Sequence, residues 1–253
     1  MRKIWKRIGC TALAVLTATS MLQGNMKEQV FADEISSVKT EGYENGNSLN
    51  LNKLGSYVTG TSNKDGGVSE IISYDSKNNK AWVVNGATGL IDIIDLSNIT
   101  SAVSSDMSAT SIDVKAIVEG KVEGFTYGDM TSVSVHSESG YVAVALQEEA
   151  YDKNGYVAIL KTDGTFAAMF EAGVQPDMVT FTPDGSKVLV ANEGEPRDGY
   201  GDSVIDPCGS VTIVSVNTND IAQSTVKTVG FEKFDASRED LVNEGVMLAK
   251  DIN

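Results

Sequence analysis

The chain has 253 residues, 35 of them acidic and 20 basic, for a formal net charge of −15. That charge excludes binding driven by nucleic-acid phosphates or anionic lipid headgroups, and it attracts cations and basic surfaces. Two cysteines exclude a disulfide scaffold, and the length accommodates one all-β domain.

The opening residues predict an export signal. Arg2, Lys3, Lys6 and Arg7 form a positive start, and Gly9 to Leu22 follow as 14 mostly apolar, uncharged residues. A membrane span needs about 20 apolar residues, so this stretch is too short. Val30-Phe31-Ala32 carries the small-residue cleavage pattern, which predicts a mature start at Asp33. Cys10 lies inside the apolar stretch and Arg7 stands where a lipobox needs an aliphatic residue, which argues against a lipoprotein. Removing residues 1–32 takes away five basic side chains and one acid, leaving 15 basic against 34 acidic and a net charge of −19. Only Cys208 then remains, so stability has to come from packing. No later apolar segment is long enough to span a membrane, and the expected location is secreted or at the cell surface.

Residues 33–65 are polar and rich in Ser, Asn, Gly and Glu, and read as a leader with one short strand near Tyr57-Val58. From Gly66 onward, short apolar runs alternate with turn residues, the pattern of successive strands. The first unit pairs Ile71–Tyr74 with Ala81–Val84 across Asp75-Ser76-Lys77-Asn78-Asn79, and Ile91–Leu96 follows. The second has Val133–Val135, the turn Ser137–Gly140, then Tyr141–Leu146, Tyr156–Leu160 and Phe166–Phe170. The third has Met178–Phe181, the turn Pro183-Asp184-Gly185-Ser186, then Lys187–Asn192 and Val211–Val216. Trp82, Tyr141, Phe166 and Phe181 sit at strand positions and read as core.

Ile72, Val133 and Val179 hold equivalent places, 61 and 46 residues apart. The shorter interval is close to the roughly 40–45 residues of a four-stranded propeller blade, and an insertion or outer strand within 101–128 accounts for the longer. The predicted fold is therefore all-β, a partial β-propeller over residues 66–253, with a two-sheet sandwich as the alternative. A helix is predicted over Ser237–Ala249, with Ser237 as its cap and Asp240 at capping-box spacing. Three units leave a propeller ring open, so the expectation is a truncated piece of a longer protein.

The run from Pro176-Asp177-Met178-Val179 through Pro183-Asp184-Gly185-Ser186 to Asn192-Glu193-Gly194-Glu195-Pro196 resembles the choice-of-anchor I proteins. These are bacterial surface proteins similar to the mesenchyme-specific cell-surface glycoprotein. Asp206-Pro207-Cys208-Gly209-Ser210-Val211 resembles the same family, although Cys208 falls where an acidic residue is expected. The resemblance covers about Gly67 to Lys250. It implies a seven-bladed, quinoprotein-like or YVTN/WD40-like propeller, at the cell surface or in the medium. Some relatives carry an alkaline-phosphatase label, but these residues hold no phosphatase motif.

Candidate chemistry concentrates between the second and third strands of the third unit. Glu193, Glu195, Asp198, Asp202 and Asp206 fall within 14 residues, interleaved with Gly194, Gly199 and Gly201. Ca²⁺ takes six to eight oxygens, which a loop with five carboxylates can supply, although no spacing here matches a fixed calcium loop. A second acidic run, Gln147–Gly155, occupies the equivalent loop of the second unit. Its Asp152-x-Asn154-Gly155 resembles half of an EF-hand loop, and Asn-Gly is also the common hairpin-turn pair. If both loops face one side, they form a single acidic surface.

Catalytic residues are not expected. His136 is the single histidine and ends a strand. Cys208 has Asp206 and Pro207 as neighbours and no base to lower its pKa. One His and one mature Cys do not fill a zinc site. No glycine-rich phosphate loop follows a strand and opens a helix. The leading expectation is a non-enzymatic extracellular module, calcium-loaded through its acidic loops, that meets an unidentified ligand, polymer or mineral surface. The alternative is a metal-dependent phosphoesterase, in which the same carboxylates hold two cations and position water for in-line attack.

Overall fold

A computed structural model describes residues 38–40, 49–51, 54–64, 67–99, 107–197 and 204–246. The export signal expected over 1–32 therefore lies outside the described residues. In the leader, β1 (Val38–Thr40) and β2 (Leu49–Leu51) pair antiparallel.

Twelve further strands form three separate sheets, each a meander of four antiparallel strands in chain order. The first holds β3 (Ser69–Asp75), β4 (Lys80–Asn85), β5 (Leu90–Asp95) and β6 (Ala109–Ile112). The second holds β7 (Tyr127–His136), β8 (Tyr141–Glu148), β9 (Asn154–Lys161) and β10 (Phe166–Val174). The third holds β11 (Pro176–Phe181), β12 (Lys187–Asn192), β13 (Ser210–Ser215) and β14 (Thr225–Gly230).

The middle sheet explains how the three are arranged. Successive side chains of a strand point to opposite faces, and in β8 both faces are buried. Val142, Val144 and Leu146 join Trp82, Ile91 and Ile93 of the first sheet in one core. Ala143 and Ala145 join Val179, Phe181, Val188 and Val190 of the third sheet in another. Burying one such Val, Leu or Ile contributes about 1.5–3 kcal/mol, so the two seams are the main source of stability.

The first strands also run beside one another. Ser73 Oγ accepts the N–H of Val135 at 2.8 Å, and Ser134 Oγ accepts that of Phe181 at 3.2 Å. Ser132 Oγ accepts the N–H of Val179, also at 3.2 Å. Sheets stacked face to face around adjacent first strands are the blades of a β-propeller, with β3, β7 and β11 innermost. The sandwich alternative is thereby set aside.

The 61-residue interval has a structural cause. Strand β6 is an outer fourth strand, and the helix α1 (Val114–Val118) follows it. Asp113 caps α1 by accepting from the N–H of Ala116, and Val114 and Val118 are fully buried against the second blade.

Hairpin turns are fixed by their own side chains. Asp184 Oδ1 accepts from Thr182 Oγ1 at 2.6 Å and from the N–H and hydroxyl of Ser186, and these bonds hold its carboxyl well below the usual range. Gly185 has φ of +67°, and a Cβ there would run into the His136 ring of the preceding blade.

Four expectations are corrected. Tyr57-Val58 is not a strand; Tyr57 lies against Ala81, Val83 and Ile94 on the open face of the first blade. The helix expected over Ser237–Ala249 is a 3₁₀ stretch (Glu232–Ser237) followed by α2 (Arg238–Asn243), and residues 247–249 lie outside the described residues. Ser237 makes no side-chain capping bond, and among the described residues neither piece has a buried face to support a longer helix. Asn154-Gly155 is not the hairpin turn but the start of β9. Gly155 sits so close to the carbonyl of Leu146 and the ring of Pro176 that a Cβ would collide with both. Trp82 and Phe181 are buried as expected, whereas Tyr141 and Phe166 are only half-buried.

Candidate functional site

Three connections come together beside the start of β11. They are the turn after β8, the short link from β10 to β11, and the loop after β12. The link contains Gln175, a residue 2% exposed with φ of +53°. A non-glycine residue in this conformation costs about 1–3 kcal/mol, so its surroundings must hold it there.

They do so through both ends of its side chain. Gln175 Nε2 donates to the carbonyl of Tyr151 at 3.0 Å and to that of Glu195 at 2.6 Å. Gln175 Oε1 accepts the N–H of Glu195 at 3.3 Å. Its backbone carbonyl accepts the N–H of Glu193 at 3.0 Å. One amide thus bolts the acidic loop of the third blade to the acidic loop of the second. Arg197 Nη2 adds a bond to Gln147 Oε1 at 3.2 Å across the same gap. The two acidic loops do face one side.

The third-blade loop closes on itself at a narrow neck. Gly194 has φ of +61°, and a Cβ on it would strike the backbone of Cys208 and Gly209. A Cβ on Gly209 would in turn meet the carbonyl of Glu193 at 2.9 Å. Gly194, Cys208 and Gly209 thus form a fixed neck between the two limbs of this segment.

The expected ligand residues divide accordingly. Glu193 and Glu195 are brought together on the base of the loop and are both exposed. Partial desolvation raises the Glu193 carboxyl above its ordinary value, and the negative charges of Asp177 and Glu195 raise it further against the opposing pull of Arg197. Asp206 is exposed on the returning limb. Asp198 and Asp202 lie outside the described residues. Among the described residues, no three His, Cys, Asp or Glu side chains are grouped closely enough to hold a metal ion.

Sequence reasoning missed Asp177, Arg197 and Gln175. Asp177 was visible as an acid next to Pro176, but it joins the Glu193 field only because β11 and β12 pair. Gln175 carried no signal, since glutamine gives no hint of a positive φ.

The remaining candidates are structural in their surroundings. His136 Nδ1 bonds Ser139 Oγ at 2.8 Å, its Nε2 faces the carbonyl of Pro183 at 3.3 Å, and its ring lies 5.6 Å from that of Phe181. It joins two blades at a hairpin turn. Cys208 is a free, exposed thiol. Glu148, read from sequence as part of the second acidic run, ends β8; it is buried and accepts the N–H of Thr126 at 2.9 Å, which ties it to the fold.

Solved structures similar to the chain share little sequence with it. A putative 6-phosphogluconolactonase from Bacteroides fragilis is 14% identical with a TM-score of 0.43, matching 64% of this chain and 39% of its own. The Dos1 propeller is 10% identical with a TM-score of 0.42, matching 68% of this chain and 36% of its own. A nidogen/laminin complex is 10% identical with a TM-score of 0.35, matching 63% and 48%. The chain thus spans less than half the length of each of these proteins. No curated protein matches it. The family model of the choice-of-anchor I domain matches residues 70–253, which takes in all three blades and the segment after them. The chain belongs to the choice-of-anchor I family.

Proposed function

We infer that the chain is part of a non-enzymatic propeller module, exported and held at the cell surface or in the medium. It presents an acidic, cation-loaded face to an extracellular ligand, polymer or mineral. The observation behind this reading is the Gln175 amide, which locks the loops carrying Glu193, Glu195 and Asp152 into one surface. Crowded carboxylates raise one another's pKa, and a bound divalent cation relieves that repulsion. Glu193 and Glu195 are the fixed anchors for Ca²⁺ in this reading. Asp198, Asp202 and Asp206 are the further carboxylates in this reading.

Calcium titration followed by thermal melting of the full chain tests the reading. Binding to the folded state raises Tm, with a stabilisation of about 2.7 kcal/mol at a hundredfold excess over Kd. The Glu193→Gln, Glu195→Gln double variant loses most of that shift while keeping its circular dichroism spectrum. A Tm that calcium leaves unmoved rules the cation out. Chelator-sensitive hydrolysis of a phosphomonoester would replace the binding module with a metal-dependent phosphoesterase.

A further inference from the structure

Each blade carries three side chains in matching register on the face turned towards what precedes it. Val83, Val144 and Val190 hold one place in β4, β8 and β12, opposite Ile72, Val133 and Val179. The set is the residue two positions on, the residue paired with that valine on the third strand, and its partner on the fourth. In the second blade it is Leu146, Ala158 and Met169, which join the apolar core shared with the first blade. In the third it is Asn192, Thr212 and Thr228, with Asn192 Nδ2 donating to Thr212 Oγ1 at 3.0 Å. Gly173 of the second blade covers that set so closely that a Cβ on it would collide with Asn192 and Ser210.

The first blade has Asn85, Asp92 and Ser111 in these places, and what covers them is the leader. Asp92 is 3% exposed; Asn85 Nδ2 donates to its Oδ2 at 2.8 Å and the Ser111 hydroxyl to its Oδ1 at 2.6 Å. Tyr57 lies on Ala81, Val83 and Ile94, and its hydroxyl is hydrogen-bonded to Asp92. Desolvation, and then the charge and hydrogen bond of Asp92, raise that hydroxyl above the ordinary tyrosine pKa. A carboxylate costs more to bury than a hydroxyl, and Thr212 shows that a hydroxyl fills this place. A charge-assisted bond from outside the sheet offsets the difference, and Tyr57 supplies it.

Little else fixes the segment. Leu54 and Val58, on either side, are 38% and 74% exposed. The Ser56 carbonyl accepts the N–H of Met107 at 3.2 Å, just before β6. Segments held by so few buried contacts open locally at far less cost than the whole fold.

We propose that residues 54–58 form a detachable strap, latched by the Tyr57 hydroxyl on Asp92, whose opening bares the Asp92 face of the first blade while the blades stay folded. Closed, the strap ties the leader to the rim of the first blade beside β6; open, the leader hangs from the chain entering β3. The latch involves the leader and the first blade alone, and it goes beyond the acidic-face reading without depending on it.

Amide hydrogen exchange of the full chain, followed at Met107 and in β8 and β12, is the test. Tyr57→Phe keeps the ring on its apolar neighbours and removes the hydroxyl. Loss of a bond to a charged group predicts exchange at Met107 about tenfold faster or more, with β8 and β12 unchanged. Asp92→Thr, which copies the third blade, gives the same increase. The double variant opens no further than either single one, because all three lose the same bond. Wild-type exchange at Met107 in Tyr57→Phe overturns the proposal, since apolar contact would then hold the strap. Increases that add in the double variant overturn it too. So does faster exchange through β8 and β12 in either single variant, which would make the segment part of the blades' common fold.

Discussion

Ser134 accepts the backbone N–H of Phe181 across the boundary between two blades, at 3.2 Å. A strand edge pointing at a neighbouring blade would otherwise leave that N–H without water or partner, and the hydroxyl meets it. Leaving a buried donor unpaired costs about 1–3 kcal/mol. Ser134→Ala should therefore destabilise the chain by about that amount. Urea unfolding should show a lower midpoint with an unchanged m-value, because packing and exposed area are the same. A midpoint equal to wild type would mean the seam is held by apolar contact alone.

Gln175 should be harder to replace than its loop position implies. Alanine removes three side-chain bonds and keeps the strained φ, so Gln175→Ala is expected to lose about 2–4 kcal/mol. Glycine loses the same bonds but sits without strain at positive φ, and it should recover about 1 kcal/mol of that loss. Chemical denaturation of the pair of variants separates the two effects. Equal losses for both would show that the backbone at Gln175 is not under strain.

The Glu193 carboxyl is raised in the folded chain, first by desolvation and then by Asp177 and Glu195. A raised carboxyl means that the folded state carries the charge less readily than the unfolded state. The penalty is present in full above the folded pKa and fades as pH falls through it towards the ordinary glutamate value. Glu193→Gln should thus raise Tm at neutral pH and leave it nearly unchanged at pH values below the ordinary glutamate pKa. Carboxyl NMR titration should show the Glu193 midpoint above that of a free glutamate, and calcium should bring it down. A variant that loses stability at neutral pH would contradict this assignment of charge repulsion.

Much of the fold was legible because propeller strands are short, apolar and punctuated. Ala81–Val84, Tyr141–Leu146 and Lys187–Asn192 read as strands and are the cores of β4, β8 and β12. The outermost strand was read in the second unit as Phe166–Phe170, was left open against an insertion within 101–128 in the first, and was not found in the third. In β14, Thr-Val-Lys-Thr-Val-Gly has one half-buried residue and five exposed ones, so no buried face imposes an alternation. β6, Ala-Thr-Ser-Ile, is likewise short and polar. Such strands exist because a neighbour offers a free ladder of hydrogen bonds, and a neighbour is not a local property of sequence. The C-terminal helix failed for a related reason. Its capping pattern was present, but among the described residues no buried face repays the ordering of a longer helix.

By itself, the sequence determined the acidic charge, the strand-turn rhythm and the repeat, since these depend on residue type and spacing of two. It also placed five acids in one loop. Only the tertiary structure decided that this loop shares a surface with Asp152 and that Asp177 presses on Glu193. The first relation arises where two blades meet, fixed by the buried amide of Gln175, and the second where β11 pairs with β12. Distances between residues dozens of positions apart are set by packing, which no local pattern encodes.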